Sequence, residues 1–240
     1  MHLELDPCVN NWEMKYSDTL LKSNTALLKS SIEHPFIAGL CEGTIPKEAF
    51  RQYVIQDFMI CQAARRLLSI VVAKLPSTVY DQKHKWVDEV IPALGKQITP
   101  GPETKALQLF LKQLGVSQTE LTQANLVTRA FSDFIVSTGF TGGYKESLIV
   151  LLAMNFVYES WAERFESAQP GDPLVKEWIQ VHRDKVMGPR VEVLKRALDE
   201  SRPHFTKISR KHAEALKYTL LWTTSFWESL SNTSKLQWAV

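Results

Sequence analysis

The stretch PKEAFRQYVIQDFMICQAARRLLSIVVAKL, from Pro46 to Leu75, is the part of the chain around which the rest is organised. It contains no internal glycine or proline, so nothing in it forces a helix to break. Pro46 and Glu48 suit a first helical turn, where a missing N–H costs nothing and the helix dipole favours a carboxylate. We therefore predict one long central helix here.

Asp57 is the charged residue that this helix places on an apolar face. On a helical grid it shares that face with Tyr53, Val54, Ile60, Cys61 and Ala64. A carboxylate in such surroundings is costly unless it is paired. Asp57 is therefore expected either to bind a ligand or to pair with an arginine in the core.

The composition is that of an ordinary soluble globular protein, with 45% hydrophobic and 22% charged residues among 240. A single domain over 1–240 is expected, with 1–9 as a loose N-terminal lead-in. The net charge of +2 gives no case for nucleic acid or an anionic membrane. The apolar runs are too short to span a membrane, and the N-terminal residues do not resemble a signal peptide. The three cysteines form no CxxC motif. These features favour a reduced, cytoplasmic protein.

The apolar periodicity is helical throughout, and no stretch alternates convincingly with period two. The reading is an all-α bundle, with a short apolar piece after His34. The predicted long helices span about 10–33, 46–75, 78–95 (with a kink at Pro92), the segment from the loop at 99–105 to 114, 126–140, 144–168, 173–200 (with a kink at Gly188–Pro189) and 203–230.

Several kinds of site can be set aside from the sequence. It has no Gly-rich phosphate loop, no GxSxG, no HExxH and no Asp-Asp pair. The lone Asp-x-x-His at Asp81 and His84 falls short of the repeated carboxylate–histidine helices of a di-iron bundle. We therefore expect neither a metal nor a cofactor.

Other polar groups in apolar stretches each have two readings. His182 could take part in the function or simply pack in the core. Tyr158 needs a hydrogen-bond partner for its hydroxyl group, and that partner could be the backbone or a ligand. Thr223 and Thr224 could face a ligand or bond back to their own helix. Cys61 could be reactive or a small core hydrophobe.

The segment HPFIAGLCEGTIPKEAFRQYVIQDF, at 34–58, resembles the N-terminal signature of the TenA/thiaminase II family. The resemblance continues in QANLVTRAFSDF at 123–134, at Tyr158, at 173–179 and at 225–227, so it covers nearly the whole chain. It implies a haem-oxygenase-like all-α fold that encloses a central pocket, usually in a homotetramer, and otherwise a dimer. Typical members hydrolyse thiamine or its aminopyrimidine breakdown products during salvage.

The resemblance also implies roles for individual positions. Asp57 matches the carboxylate that holds the aminopyrimidine, and Tyr158 matches a retained tyrosine. The family's nucleophilic cysteine falls on Met154, where neighbouring Asn155 restores no carboxylate, and its catalytic glutamate falls on Thr223. Without a nucleophile and an acid/base, the family's usual reaction would lose most of its acceleration.

At three further positions, a tyrosine of the family is replaced by another residue. Two tyrosine positions carry Ile60 and Phe131, and a third carries His182. With Met154 and Phe156, these residues predict a mostly apolar pocket wall in which Asp57 and His182 are isolated polar groups.

The leading hypothesis is therefore a divergent family member, an enzyme in specialised metabolism that performs metal-free acid–base, cyclisation or isomerisation chemistry on a largely apolar small molecule. Asp57 and His182 are its expected catalytic residues. Its expected ligand-binding residues are Tyr53, Ile60, Phe131, Met154, Phe156, Tyr158, Thr223, Phe226 and Trp227. One alternative is an aminopyrimidine hydrolase of thiamine salvage with unorthodox residues, and another is a non-catalytic carrier or partner subunit.

Overall fold

The computed structural model describes residues 15–77, 86–202 and 205–231, and within these ranges the ordered elements are helical. The all-α class predicted from the sequence is confirmed. The helices are α1 Tyr16–Lys22, α2 Thr25–Ile32, α3 Pro35–Glu42, α4 Lys47–Lys74, α5 Trp86–Ile98, α6 Pro102–Gln113, a 3₁₀ turn Glu120–Thr122, α7 Leu126–Thr141, α8 Tyr144–Arg164, α9 Pro173–His182, α10 Asp184–Glu200 and α11 Arg210–Ser231.

Helices α4 and α8 form the centre of the bundle. α4 packs against α5, α6, α7 and α8, and α8 packs in turn against α10 and α11. The predicted long helix at 46–75 is confirmed, since α4 spans 28 residues. α8 is apolar nearly all round, and Glu146 closes its first turn by accepting from the Gly143 N–H at 3.0 Å.

Two predicted helices are interrupted at positions where the sequence predicted no break. The predicted helix ending at Glu33 is divided into α1 and α2, because Asn24 has a non-helical backbone and the Ser23 hydroxyl bonds to the Leu20 carbonyl at 2.6 Å. The segment at 173–200 breaks at Arg183, whose ψ is 165°, and α10 continues through Pro189.

The remaining differences concern helix ends. α8 ends at Arg164 rather than at 168, and α5 continues past Gly95 to Ile98 with Pro92 inside it. α11 begins at Arg210 rather than at 203, where the Ser209 hydroxyl accepts from the His212 N–H at 3.2 Å as a cap would. The predicted lead-in at 1–9, the predicted start of the first helix, and Asp81 and His84 lie outside the described residues.

None of the helices within the described ranges is long and apolar enough to cross a membrane.

Gly139 allows α7 to approach α4 closely. A Cβ at this position would lie 2.9 Å from Leu67 Cδ1 and 3.0 Å from Ile70 Cδ1. Replacing Gly139 with valine is therefore expected to lower the free energy of unfolding by about 1–3 kcal/mol through overpacking. Urea unfolding measures this change. Gly95→Val, at a helical glycine with open space around it, is the matched control, and an equal loss in both variants would refute the packing explanation.

Candidate active site

A cavity of about 90 Å³ lies among α4, α5, α6, α8 and α10. Its lining residues are Asp57, Ile60, Cys61, Ala64, Arg65, Leu68, Gln97, Glu103, Thr104, Leu151, Met154, Asn155, Tyr158, Met187 and Arg190. This volume is smaller than the roughly 150 Å³ that holds a benzene ring in an engineered protein cavity. A ring-sized ligand must therefore also occupy the mouth, where Arg65, Gln97, Asn155 and Arg190 are only partly buried.

The spacing of residues on two helices creates the facing walls. On α4 the lining positions from Asp57 to Leu68 recur every three or four residues, and on α8 the positions from Leu151 to Tyr158 do the same. Such spacing places side chains on one helical face. The first turn of α6 supplies Glu103 and Thr104, and α10 supplies Arg190.

Asp57 is buried and bonded to neutral groups, not to an arginine. The Tyr158 hydroxyl donates to Asp57 Oδ1, and the Cys61 thiol lies 3.8 Å from Oδ2. Burial raises the pKa of Asp57 to about 7, assisted by the nearby charge of Glu103 and opposed by the Tyr158 hydrogen bond. This carboxyl group can therefore give and take a proton near neutral pH.

Glu103 is the second carboxylate of the cavity, and it is held by the side chains of Arg190 and His182. Arg190 Nη1 donates to its Oε2 at 2.7 Å, and His182 Nε2 lies 3.2 Å from its Oε1. Burial would raise its pKa, but the His182 hydrogen bond and the charges of His182 and Arg190 lower that pKa to about 2. Glu103 therefore stays ionised while Asp57 titrates.

His182 supports Glu103 from behind rather than bordering the cavity. The ring is fully buried, with its centroid 4.2 Å from that of Trp178. Its Nδ1 lies 2.8 Å from the Trp178 carbonyl oxygen, and its Nε2 faces the Glu103 carboxylate. Both neighbours offer acceptor oxygens, so each ring nitrogen has a hydrogen-bond partner within reach. In this arrangement His182 orients Glu103.

Cys61 lies between the two carboxylates. Its sulfur is 3.8 Å from an oxygen of Asp57 and 3.8 Å from one of Glu103. Burial, Glu103 and Asp57 all raise the pKa of this thiol well above its ordinary value. The thiolate, which is the nucleophilic form, is therefore disfavoured at this position.

Four of the site residues predicted from the sequence line the cavity, and the other predicted ones lie elsewhere. Asp57, Ile60, Met154 and Tyr158 border it. The others pack around it or away from it, namely His182, Tyr53, Phe131, Phe156, Thr223, Phe226 and Trp227.

Most of these other residues form a layer of core contacts. Tyr53 accepts a hydrogen bond from Trp178 Nε1 at 2.6 Å, and its ring lies against Phe226 and Trp227. Trp227 also packs on the ring of Tyr158, 5.5 Å between centroids, and so supports the cavity wall from behind.

The remaining ones lie further away. Phe131 stacks on Trp222, and the ring of Phe156 lies 5.5 Å from Lys195 Nζ. The Thr223 hydroxyl bonds to the Thr219 carbonyl at 2.9 Å, as expected of a back-bonded threonine, and Thr224 does the same with Leu220.

The expectation that Asp57 and His182 are isolated polar groups in the wall is wrong, because His182 does not border the cavity and the lining contains further charged groups that sequence reasoning missed. Glu103 reads in the sequence as an ordinary first-turn acid, and Arg65 as half of an Arg-Arg pair. Arg190 follows a Gly-Pro pair that suggested a break. The chain itself carries no signal that these residues converge, because they come from three different helices.

Within the described ranges, no three His, Cys, Asp or Glu side chains are grouped so as to hold a metal ion.

The chain is similar to curated enzymes of one kind. It is 23% identical over 217 residues to the aminopyrimidine aminohydrolase of Bacillus subtilis, a match that covers 89% of each chain. It is 22% identical over 148 residues to the aminopyrimidine aminohydrolase of Helicobacter pylori, covering 60% of this chain and 64% of that protein.

Solved structures share the fold. A TenA homologue from P. horikoshii OT3 superimposes with a TM-score of 0.75 at 23% identity, covering 90% of this chain and 98% of the other. A TenA homologue from Pyrococcus furiosus gives a TM-score of 0.77 at 18% identity, covering 89% and 98%. The fold is therefore the helical haem-oxygenase-like one expected from the resemblance. The family model described as TENA/THI-4/PQQC family matches residues 21–233, and the chain belongs to that family.

Proposed function

We propose that this protein is an acid–base enzyme that acts on a small molecule bound in the cavity, with Asp57 as the group that exchanges a proton with the substrate. The observation that carries the proposal is a buried carboxyl group with a pKa of about 7 that borders a cavity. Tyr158 donates to Oδ1 and orients the carboxyl group, while Oδ2 meets the weaker thiol donor of Cys61 and is the oxygen that can face a bound molecule as well. A proton donor with a pKa near the working pH is the most effective.

The lining favours a substrate with a polar, hydrogen-bonding head and an apolar body. Asp57 and Glu103 provide the polar end, while Ile60, Leu151 and Met154 provide an apolar strip. An aminopyrimidine has such a head, and two curated relatives are aminopyrimidine aminohydrolases. We therefore place hydrolysis of an amino-substituted pyrimidine first among the candidate reactions.

The proposed hydrolysis exchanges an amino group for a hydroxyl group. Asp57 in its protonated form gives its proton to the departing amine, which leaves as ammonia. Water supplies the hydroxyl group, and the proton released from that water returns to Asp57. No thiolate takes part, because Met154 is not nucleophilic and the raised pKa of Cys61 disfavours its thiolate.

Two features favour catalysis over the alternative of a non-catalytic carrier. A cavity is present beside Asp57, and the partners of Asp57 are Tyr158 and Cys61 rather than an arginine. The apolar strip keeps the largely apolar substrate of specialised metabolism as the second candidate. Homo-oligomeric assembly and a cytoplasmic location remain predictions.

Incubation of the protein with aminomethyl-pyrimidines tests the first candidate. We expect release of the pyrimidine alcohol, detected by liquid chromatography and mass spectrometry, with a rate that changes around the Asp57 pKa of about 7. Native mass spectrometry of the purified protein tests the second candidate. No pyrimidine product together with a retained apolar molecule would favour that candidate and contradict the first.

A further inference from the structure

We propose that Arg65 and Thr104 form an anion-binding subsite at the mouth of this cavity, so that the substrate carries a compact anionic group, a carboxylate or a phosphate, in addition to the head that meets Asp57. This inference rests on the proposed function in placing the substrate in the cavity, and it deepens that function by naming a substrate class.

The charges of the cavity lining are not fully balanced. Among its lining residues, Arg190 is matched by Glu103, with which it forms a 2.7 Å ion pair. Arg65 also lines the cavity, but its contact is with the neutral Thr104 hydroxyl, at 3.0 Å from Nη2. Within the part of the chain that the structure describes, Arg65 has no carboxylate partner. The mouth therefore carries a guanidinium group without a counter-charge.

Thr104 and Arg65 both have hydrogen-bond donors available to a ligand. Thr104 is almost fully buried, and its hydroxyl oxygen accepts from Arg65. The hydroxyl therefore keeps its own proton for donation, and the remaining N–H groups of Arg65 are donors too. A planar guanidinium beside a hydroxyl donor matches the oxygens of a carboxylate or phosphate.

Asp57 and Arg65 are separated along the axis of α4. Asp57, Cys61 and Arg65 follow each other at intervals of four residues on the face of α4 that borders the cavity. Eight residues of helix correspond to about 12 Å along the axis. A ligand that reaches from Asp57 towards Arg65 therefore needs a hydrogen-bonding head at one end and an anionic group at the other.

The test is isothermal titration calorimetry of the full chain at constant ionic strength, with inorganic phosphate in one arm and benzoate in the other. We expect at least one of these anions to saturate a single site on the wild-type protein. Arg65→Gln is expected to raise its dissociation constant about tenfold or more, because a charge-assisted hydrogen bond is lost. Arg65→Lys, which keeps the charge but not the planar fork, is expected to lie in between.

Arg66→Gln is the matched control, since this neighbouring arginine on α4 is exposed and does not line the cavity. Equal weakening in the two glutamine variants, or no binding of either anion to the wild type, would overturn the subsite. Circular dichroism checks that each variant is folded. The wild-type protein separates the two proposals, because a wild type that shows no detectable turnover but binds anions through Arg65 contradicts only the proposed function.

Discussion

Replacing Asp57 with asparagine is expected to abolish turnover and, at the same time, to stabilise the folded protein at neutral pH. Asparagine keeps the shape of the side chain and can still accept from Tyr158, but it has no proton to exchange. The loss of general acid–base catalysis is expected to reduce kcat by about 10²–10⁴-fold. Steady-state assays on the reactive substrate measure this effect.

The gain in stability follows from the direction of the pKa shift. Asp57 has a pKa of about 7 in the folded protein against an ordinary 3.8, so folding favours the protonated form. Its contribution to stability is therefore greatest below the ordinary pKa and is lost as the pH rises towards 7. Between pH 5 and pH 8 this loss is about 2–3 kcal/mol, at roughly 1.4 kcal/mol per pH unit. Asparagine does not ionise and avoids it.

Urea unfolding of both proteins at pH 5 and pH 8 measures the effect. The free energy of unfolding of Asp57→Asn, relative to that of the wild type, is expected to increase from pH 5 to pH 8. Asp133→Asn is the matched control, because Asp133 is exposed on α7 and should change neither activity nor the pH dependence. A stability difference between Asp57→Asn and the wild type that is the same at both pH values would mean that Asp57 ionises normally in the folded protein.

Replacing Glu103 with glutamine is expected to destabilise the protein and to lower the pKa of Asp57. The change leaves Arg190 and His182 without their carboxylate partner. Breaking a buried ion pair from one side costs about 3–5 kcal/mol. Since the negative charge of Glu103 helps to raise the pKa of Asp57, its removal should move the pH–rate profile to lower pH.

Glu103 contributes to stability with the opposite pH dependence to Asp57. The pKa of Glu103 is lowered to about 2 from 4.5, so its stabilisation is complete above the ordinary pKa and is lost as the pH falls through about 2. The stability gap between wild type and Glu103→Gln should therefore be largest at pH 6–8 and shrink towards pH 3. Chemical denaturation across this range measures it.

Glu166→Gln provides the control for the Glu103 variant. It removes the carboxylate of an exposed ion pair with Arg183, and such pairs contribute about 0–1 kcal/mol. A similarly small cost for Glu103→Gln would show that Arg190 and His182 find other partners. An unchanged pH–rate profile would show that Glu103 does not influence the proton of Asp57.

The fold could be predicted from the chain because helical periodicity is a local property. The spacing of apolar residues, the absence of breakers over 46–75 and the breaks at 141–143 and 169–173 define most helices. Errors arose where a local interaction competes with the helix. The Ser23 hydroxyl bond back to the Leu20 carbonyl helps to end α1, and neither the break at Arg183 nor the passage of α10 through Pro189 could be predicted from propensities.

The candidate site was predictable only where the helical pattern or the family motif marks a residue. Asp57 stands out as a carboxylate on an apolar face, and Tyr158 as a hydroxyl on the most apolar helix. His182 was marked as well, but its place behind Glu103 could not be read from the chain. The two arginines and Glu103 look like ordinary residues of helix ends and exposed faces.

The sequence by itself determined the all-α class, the central helix and the presence of a carboxylate that needs a special environment. The tertiary structure alone decided what that environment is. Asp57 and Glu103 are 46 positions apart on different helices, and their opposite pKa shifts arise from burial around Asp57 and from the contacts of Glu103 with His182 on α9 and Arg190 on α10. Electrostatic interactions depend on distance in space and on exclusion of water, so a pattern along the chain cannot contain them.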